Sequence, residues 1–395
     1  KNFEYPKNAL EEIGIPEEEF DNYFLKLENS KVENMDFSVE DKLFVENFIK
    51  KTKGVKSERT RKILEIQREW TEQLKKCDEV ELYIIKSTVI IAGTCTGFVS
   101  NRIIRDVEFD YVIVDEAAKA TFPELAVSLN KAHKIILVGD HQQLPPVLDT
   151  EIIRNNKEKL DEEGLAQGIF ERMYNMFPED NKHRLTIQYR MHPTIGTLIS
   201  HVFYNDEIQN GVEAQDRELC IEGYEGIAIE WISTSKYSTK ERYEKEFDNN
   251  GKKSYQNYLE RNIIERKLLE LDSKLVKRTK VAVITGYGSQ KYILQTMVKQ
   301  HSFKHIEVDV DTVDAFQGSQ KDIILYSTVR SSGNKYGIGF LKSEARINVA
   351  FSRARCLLII VGDMKFLDNY KIRGNKFPEI IKYITESEGC RIIEK

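Results

Sequence analysis

Two adjacent carboxylates, Asp115 and Glu116, follow the apolar run Val112-Ile113-Val114. A strand that ends in paired carboxylates is what hydrolysis of a phosphate anhydride requires. One carboxylate holds Mg²⁺, usually through its water shell, and the other polarises the attacking water. Taken alone, Asp-Glu could equally be a solvated acidic turn, so further groups must join it. Asp140 stands 25 residues after Asp115, in Gly139-Asp140-His141-Gln142-Gln143-Leu144-Pro145-Pro146-Val147. Here Gly139 is expected to permit a tight turn, and the two glutamines are neutral groups that can contact a phosphate or its water without competing as bases. Gln188-Tyr189-Arg190-Met191-His192-Pro193 sets an arginine fork beside an aromatic ring, a pairing that suits one anion and one flat ring. His192, just before a proline, reads as structural rather than catalytic. Two later stretches complete the set: Val310 to Asp322, which contains Asp314-Ala315-Phe316-Gln317-Gly318-Ser319-Gln320, and Ala345 to Arg355, which contains Arg346, Ser352 and Arg353.

These groups need a scaffold that presents strand ends. Ser87–Gly93, Tyr111–Val114 and Lys134–Val138 have the length and β-branching of buried parallel strands, with a helix expected over Pro123–Leu129. A second series of strands is expected at Arg184–Gln188, Gly226–Ile232, Lys280–Thr285, Asp322–Thr328 and Cys356–Val361. Helical patterns at about 254–272, 288–300, 343–353 and 377–386 alternate with them. Alternation of this kind implies an α/β fold with parallel sheets in two units. Residues 205–253 read as an irregular excursion with one strand-like run. Residues 1–86 look helical and carry no glycine-rich loop. Ser38-Val39-Glu40-Asp41 resembles a helix start, and Ile63, Ile66, Trp70 and Leu74 mark one helical face.

Composition excludes several classes. The chain has 395 residues, 41% hydrophobic and 31% charged, with 8 Pro and 21 Gly. That is neither collagen-like nor mostly disordered. No apolar run approaches the ~18 residues that span a bilayer, so no membrane partner is expected. The 5 cysteines are scattered and never form a CxxC pair, which argues against a disulfide framework or zinc site and predicts a cytoplasmic setting. The net charge of −5 gives no global argument for nucleic acid. Residues 321–376, however, hold 11 basic and 4 acidic residues. Residue 1 is Lys rather than Met, which predicts a fragment or processed product.

In this order and spacing, DEAA, GDHQQLPPV, QYRMHP, VDAFQGSQKD and NVAFSRAR closely resemble the motifs of superfamily 1B helicases of the nonsense-mediated-decay type. They match that family's motifs II and III, the segment opening its second lobe, and motifs V and VI. Thr285-Gly286-Tyr287-Gly288-Ser289-Gln290 is similar to motif IV, where Pro is usual in place of Gly286. Asn257-Tyr258-Leu259-Glu260 matches the family's N-x-x-E, and Ala92-Gly93-Thr94-Cys95-Thr96 resembles motif Ic. The resemblance covers about 87–363.

It implies a P-loop NTPase with tandem RecA-like lobes, ATP and Mg²⁺ in the cleft, and single-stranded DNA or RNA across the top. By the same resemblance, Asp115 would hold Mg²⁺ and Glu116 would activate water. Gln143 would sense the γ-phosphate, and Arg190 and Arg353 would act as arginine fingers. Tyr189 would meet the adenine, with Gly318 and Gln320 also at the nucleotide. Thr94, Thr285, Thr312 and Arg330 would contact the strand; in the basic stretch at 321–376, Lys335, Lys342, Lys365 and Lys371 are left as solvent-face or strand-contact candidates. The implied division is a helical accessory region at 1–86, part of the first lobe at 87–181 and the second lobe at 182–395.

The departures matter as well. Motif V normally carries Glu where this chain has Gln320, which keeps a hydrogen bond but not the charge. No G-x-x-x-x-G-K-[ST] occurs in the 395 residues, so the cradle for the β- and γ-phosphates is expected N-terminal to Lys1, in cis or supplied in trans. The first lobe is then expected to be partial, and the chain alone to be inactive. Two readings follow. One is the C-terminal part of an ATP-dependent nucleic-acid translocase. The other is a split or degenerate module that binds nucleic acid or a partner without hydrolysis. A nuclease finds no metal cluster in the sequence beyond Asp115-Glu116.

Overall fold

The computed structural model describes residues 78–105, 107–147, 168–249, 252–332 and 337–394. The helical patterns expected within 1–77, and Lys335, lie outside these. The chain divides into two compact units, Lys1–Val107 and Glu108–Lys395.

In the first unit, α1 (Asp78–Ser87) and α2 (Cys95–Ser100) are followed by a short turn of helix, Arg102–Arg105. Thr94 caps α2, its Oγ1 accepting from the Gly97 N–H at 3.1 Å. The strand expected over Ser87–Gly93 does not form. This stretch is irregular, and Val89 and Ile90 are exposed. A parallel strand exists only as part of a ladder, and among the described residues none pairs with it.

The second unit begins with β1 (Phe109–Val114), α3 (Phe122–Leu129) and β2 (Ala132–Leu137). The helix starts at a capping box: the Thr121 N–H and hydroxyl both bond the Glu124 carboxylate at 2.8 Å, and Pro123 lies in the first turn. β1 and β2 pair in parallel with Val114 opposite Leu137. They form a two-stranded sheet that leaves Tyr111, Ile113, Ile135 and Ile136 exposed, so the covered faces expected of it are not seen among the described residues.

The chain continues through α4 (Ile169–Met176), β3 (Ile187–Gln188), α5 (Pro193–Phe203), β4 (Gln209–Asn210), β5 (Ile229–Ser233), β6 (Lys245–Asn249) and β7 (Lys252–Gln256). After these come α6 (Tyr258–Lys274), β8 (Thr279–Thr285), α7 (Gly288–Val298), β9 (Ile306–Thr312) and β10 (Lys321–Ser327). The last elements are α8 (Glu344–Phe351), β11 (Ala354–Gly362), α9 (Met364–Asn369), α10 (Phe377–Glu386) and β12 (Cys390–Glu394).

Six strands form one parallel sheet in the order β12-β5-β11-β10-β8-β9. Alternate side chains point to opposite faces. Trp231, Ile324, Tyr326, Leu358 and Ile360 pack with α5, α8 and α10 on one side. Val283, Ile323, Leu325, Ile359 and Val361 pack with α6 and α7 on the other. Burial on both faces explains why these strands read as unbroken apolar runs. The strand expected from Arg184 shrinks to Ile187–Gln188, which pairs with β4. The excursion at 205–253 contains β4 and β5, and ends in an antiparallel hairpin of β6 with β7. The expected helix at 254 therefore starts only at Tyr258, where the Asn257 side chain accepts from the Glu260 N–H at 3.1 Å.

Candidate functional site

Asp115 and Glu116 are the first two residues past β1, and both are exposed. Glu116 adopts a left-handed backbone (φ 53°) and its N–H donates to Asp115 Oδ1 at 2.9 Å. A non-glycine residue in this region is strained and persists where neighbours enforce it. Here the Ala117 N–H donates to the Val138 carbonyl at 2.8 Å, and the Val138 N–H to the Val114 carbonyl at 2.9 Å. Gly139 does not turn the chain through positive φ. It is required for close approach, since a Cβ there would lie 2.8 Å from the Ala118 nitrogen. The carboxylate turn and the exit of β2 are thus packed backbone to backbone.

Asp140 is the hub that sequence reasoning left without a role. Its Oδ1 accepts from the Gln142 N–H at 3.0 Å, and its Oδ2 from Gln143 Nε2 at 2.8 Å and from the Tyr204 hydroxyl at 2.5 Å. The oxygen of the Gln143 side chain accepts from the Arg353 guanidinium at 3.0 Å. Arg353 also donates to the carbonyls of Val349 (3.2 Å) and Ser319 (3.3 Å), and Arg190 donates to the Ser352 carbonyl at 3.3 Å. Burial lowers the pKa of both guanidinium groups. For Arg353 burial and then the charge of Arg190 push it down to about 10, with Glu116 acting against them; Glu116 likewise opposes the shift of Arg190. Glu116, Gln143, Arg190 and Arg353 are therefore brought to one place. Two desolvated cations that repel one another there favour a bound polyanion, so this side fits a nucleotide's phosphates. The exposed Asp115 carboxylate has the chemistry for a hydrated Mg²⁺.

Tyr189 is 63% exposed. Its carbonyl and that of Arg190 accept from Arg217 at 2.7 and 2.8 Å. The ring lies over Gly211, where a Cβ would come within 2.4 Å of Tyr189 Cε1. His192 is buried and its Nδ1 accepts from the Thr194 N–H at 3.2 Å, capping α5. Gly318 has φ 81° with open space around it, and Gln320 is exposed; Ser319 between them touches Arg353.

The strand-contact candidates divide. Thr285 and Thr312 are register partners at the carboxyl ends of β8 and β9. Thr312 is half-buried; the buried Thr285 Oγ1 has no hydrogen-bond partner among the described residues. Thr94 lies in the other unit. Arg330 does not reach the surface: it is fully buried, donates to the Gly337 carbonyl at 3.1 Å, pairs with Glu244 at 3.3 Å and lies 4.0 Å over the Tyr255 ring. A guanidinium so engaged supports the loop instead of meeting a ligand. Beneath it, buried Glu260 accepts from Ser327 (2.6 Å), Thr328 (3.2 Å) and the Val329 N–H (2.9 Å), and burial pushes its pKa up to about 8. Val329 is held at φ 69°. Lys342, Lys365 and Lys371 are exposed.

Two stretches of the chain match families described as AAA domain, residues 18–151 and residues 165–365. A Neurospora crassa protein named regulator of nonsense transcripts 1 homolog is 34% identical over 301 residues, which are 74% of this chain and 26% of that protein. The ATP-dependent helicase NAM7 of Saccharomyces cerevisiae is 33% identical over 324 residues, 81% of this chain and 31% of the yeast protein. An uncharacterized ATP-dependent helicase of Methanocaldococcus jannaschii is 29% identical over 358 residues, 86% of this chain and 48% of its own. The chain spans about a quarter to about half the length of these relatives. Among the described residues no helix is long and apolar enough to cross a membrane.

Proposed function

The chain belongs to the AAA-domain helicases related to the regulators of nonsense transcripts, and on that premise we propose that it is the C-terminal part of an ATP-dependent translocase on single-stranded DNA or RNA. The observation that carries this reading is the meeting of Arg353 with Gln143 at 3.0 Å, with the charge of Glu116 acting on both Arg353 and Arg190. A solvated acidic turn would have no need of two desolvated arginines opposite it.

In this proposal Glu116 takes the proton of the attacking water, whose other contact is the Gln143 oxygen. Arg190 and Arg353 face the charge that develops on the transferred phosphoryl group. Asp115 would hold Mg²⁺, which would supply positive charge to offset that of the phosphates. Tyr189 stacks on the adenine, and Gly318 and Gln320 border the nucleotide. On the second unit the strand lies across Thr312, beside the buried Thr285, with Lys342, Lys365 and Lys371 as salt-sensitive contacts and Arg330 as support beneath; Thr94, in the first unit, is a separate candidate contact. We retain the division into 1–86, 87–181 and 182–395, with the lobe boundary near residue 182, and the cytoplasmic setting. The 395 residues contain no G-x-x-x-x-G-K-[ST]. We therefore place the phosphate cradle outside them, in cis or in trans, and expect residues 1–395 alone to hydrolyse ATP negligibly.

The test compares strand-stimulated ATP hydrolysis by residues 1–395 with that of a longer polypeptide carrying a phosphate loop. Activity in the longer protein that disappears in Glu116→Gln supports the reading. Strand binding with no hydrolysis in either would favour the non-hydrolysing module, to which Gln320 already points. Full activity from residues 1–395 would overturn the placement of the cradle.

A further inference from the structure

A carboxamide can present either its oxygen or its amino group, and which one faces a reacting phosphate decides what it can do. Gln143 has no choice here. The Asp140 carboxylate accepts hydrogen bonds and offers none, so Gln143 turns its Nε2 to Asp140 (2.8 Å) and its oxygen to Arg353 (3.0 Å). With the oxygen outward, Gln143 accepts from a water or a guanidinium but does not donate to a phosphate oxygen. The position of Asp140 is therefore the position of that oxygen.

Asp140 follows β2 in a half-buried loop whose Leu144 sits in the core, and one hydroxyl ties the Asp140 carboxylate itself to that core. The Tyr204 hydroxyl, at the end of α5, donates to Asp140 Oδ2 at 2.5 Å and accepts from Asn348 Nδ2 at 2.8 Å. Asn348 lies on α8 and also donates to the Gln142 carbonyl at 3.0 Å. Five residues later in sequence comes Arg353. The Tyr204 ring packs against the core beneath α5 and α8. Burial, and then the Asp140 charge, push the hydroxyl's pKa far up, so it remains a donor. One phenol thus links the loop bearing Gln143 to the helix that leads to Arg353.

We propose that Tyr204 is a positioning residue for the hydrolysis proposed above: through Asp140 it holds the Gln143 oxygen toward the attacking water, and through Asn348 it fixes the loop after β2 against α8. Its hydroxyl is taken up by Asp140 and Asn348. Its effect runs through Gln143, which separates it from a residue that merely stabilises the fold. The inference rests on the hydrolytic reading, and its test is built to fail separately.

The test uses the polypeptide that supplies the phosphate loop, as wild type, Tyr204→Phe, Gln143→Ala and the double variant. Tyr204→Phe keeps the ring and removes only the hydroxyl. Strand-stimulated kcat is expected to fall roughly tenfold, with KM for ATP unchanged within about twofold, the pattern of a lost transition-state interaction. In the Gln143→Ala background the same change should have no further effect on kcat, because the group it positions is gone. An equal fall in both backgrounds, a change in KM alone, or no change overturns the proposal. An inactive wild type overturns the hydrolytic reading instead. In that case the side-chain amide resonance of Gln143 in residues 1–395, assigned by its loss in Gln143→Ala, still decides the positioning. It should shift and exchange faster with solvent in Tyr204→Phe, and an unchanged resonance counts against any hold of Tyr204 on Gln143.

Discussion

Two of the parallel sheets of the second unit carry opposite sides of one candidate site on very different foundations. The six-stranded sheet is covered by helices on both faces, and Arg353 stands immediately before its strand β11. The two-stranded sheet carries Asp115 and Glu116, yet its Ile113 is 66% exposed. Parallel sheets normally occur with both faces covered. The arginine side is therefore held by a finished core, whereas the carboxylate side is held by local devices: the strained Glu116 turn, the close approach at Gly139 and the bonds of Asp140. One unit can thus hold half of a candidate site on a finished core while the strand pair under the other half still lacks cover among the described residues.

The largest effect expected from this comparison is catalytic. In a polypeptide that carries the phosphate loop, Arg353→Ala should reduce strand-stimulated kcat by about 10³-fold, the range found for arginine fingers. The folded structure should survive, since the lost bonds are single contacts to the Val349 and Ser319 carbonyls, the Gln143 oxygen and the Ser352 hydroxyl. Steady-state kinetics with a thermal melt separates the two effects. A variant that loses activity only by unfolding would show that Arg353 belongs to the core and not to the site.

Stability should divide the two sheets directly. Ile324 is fully buried in β10, and Ile324→Ala is expected to cost ~2–5 kcal/mol. Ile113→Ala in β1 should stay within about 0.5 kcal/mol, as for other exposed positions. Urea unfolding of residues 1–395 measures both. Equal costs would mean that β1 is covered after all, and the contrast between the sheets would collapse.

A third test addresses how the six-stranded sheet holds its own carboxyl end. Glu260 is protonated more readily in the fold than in the unfolded chain, where it has its ordinary value near 4.5. Between about 4.5 and about 8 the native state binds the extra proton, so the stability this group contributes is greatest at the acid end and is lost as pH rises. Glu260→Gln mimics the neutral acid and should flatten that slope. Relative to wild type the variant should gain on the order of 1–3 kcal/mol from pH 5 to pH 8.5. An identical pH profile in the two proteins would mean that Glu260 is charged in the fold and that its three donors outweigh its burial.

Much of this was legible in the sequence because the site is built from strand ends. Apolar runs mark the strands, and Asp115 just past β1, Thr285 at the end of β8 and Gln143 in the loop after β2 follow from the topology of any parallel sheet. The failures have physical reasons. Ile306–Thr312 alternates apolar and acidic residues, a period of 2 that signals a strand, but it was absorbed into the motif that follows. The β6–β7 hairpin carried a sign in Asn250-Gly251, the pair lying between the two strands in sequence. Arg330, a candidate strand contact, lies just past a strand end but is buried there, and its ion partner Glu244 is too far upstream for the sequence to show the pairing. Tyr204 could not have been found: its partners Asp140 and Asn348 are 64 and 144 residues away, and nothing in a run of apolar helix residues marks one hydroxyl as a bridge.

The smallest expected effect concerns the shortest sheet among the described residues, β3 with β4, which is neither of the two compared above. Tyr189 follows β3 and its ring lies over Gly211, which follows β4; the Gly211 N–H donates to the Gln188 carbonyl at 2.8 Å. Gly211→Ala leaves that bond possible but puts a methyl where the ring lies, so the exposed ring must swing away while the Arg217 bonds to the Tyr189 and Arg190 carbonyls remain. If Tyr189 only binds the base and Arg190 acts on the phosphates, the two neighbours should respond separately. KM for ATP should rise roughly 3- to 10-fold, the loss of a modest stacking contact, with kcat almost unchanged, because ground state and transition state lose it equally. A matching fall in kcat would show that the tyrosine and the arginine move as one body. Arg190 would then depend on this two-residue strand, and the firm arginine side of the site would reduce to Arg353 alone.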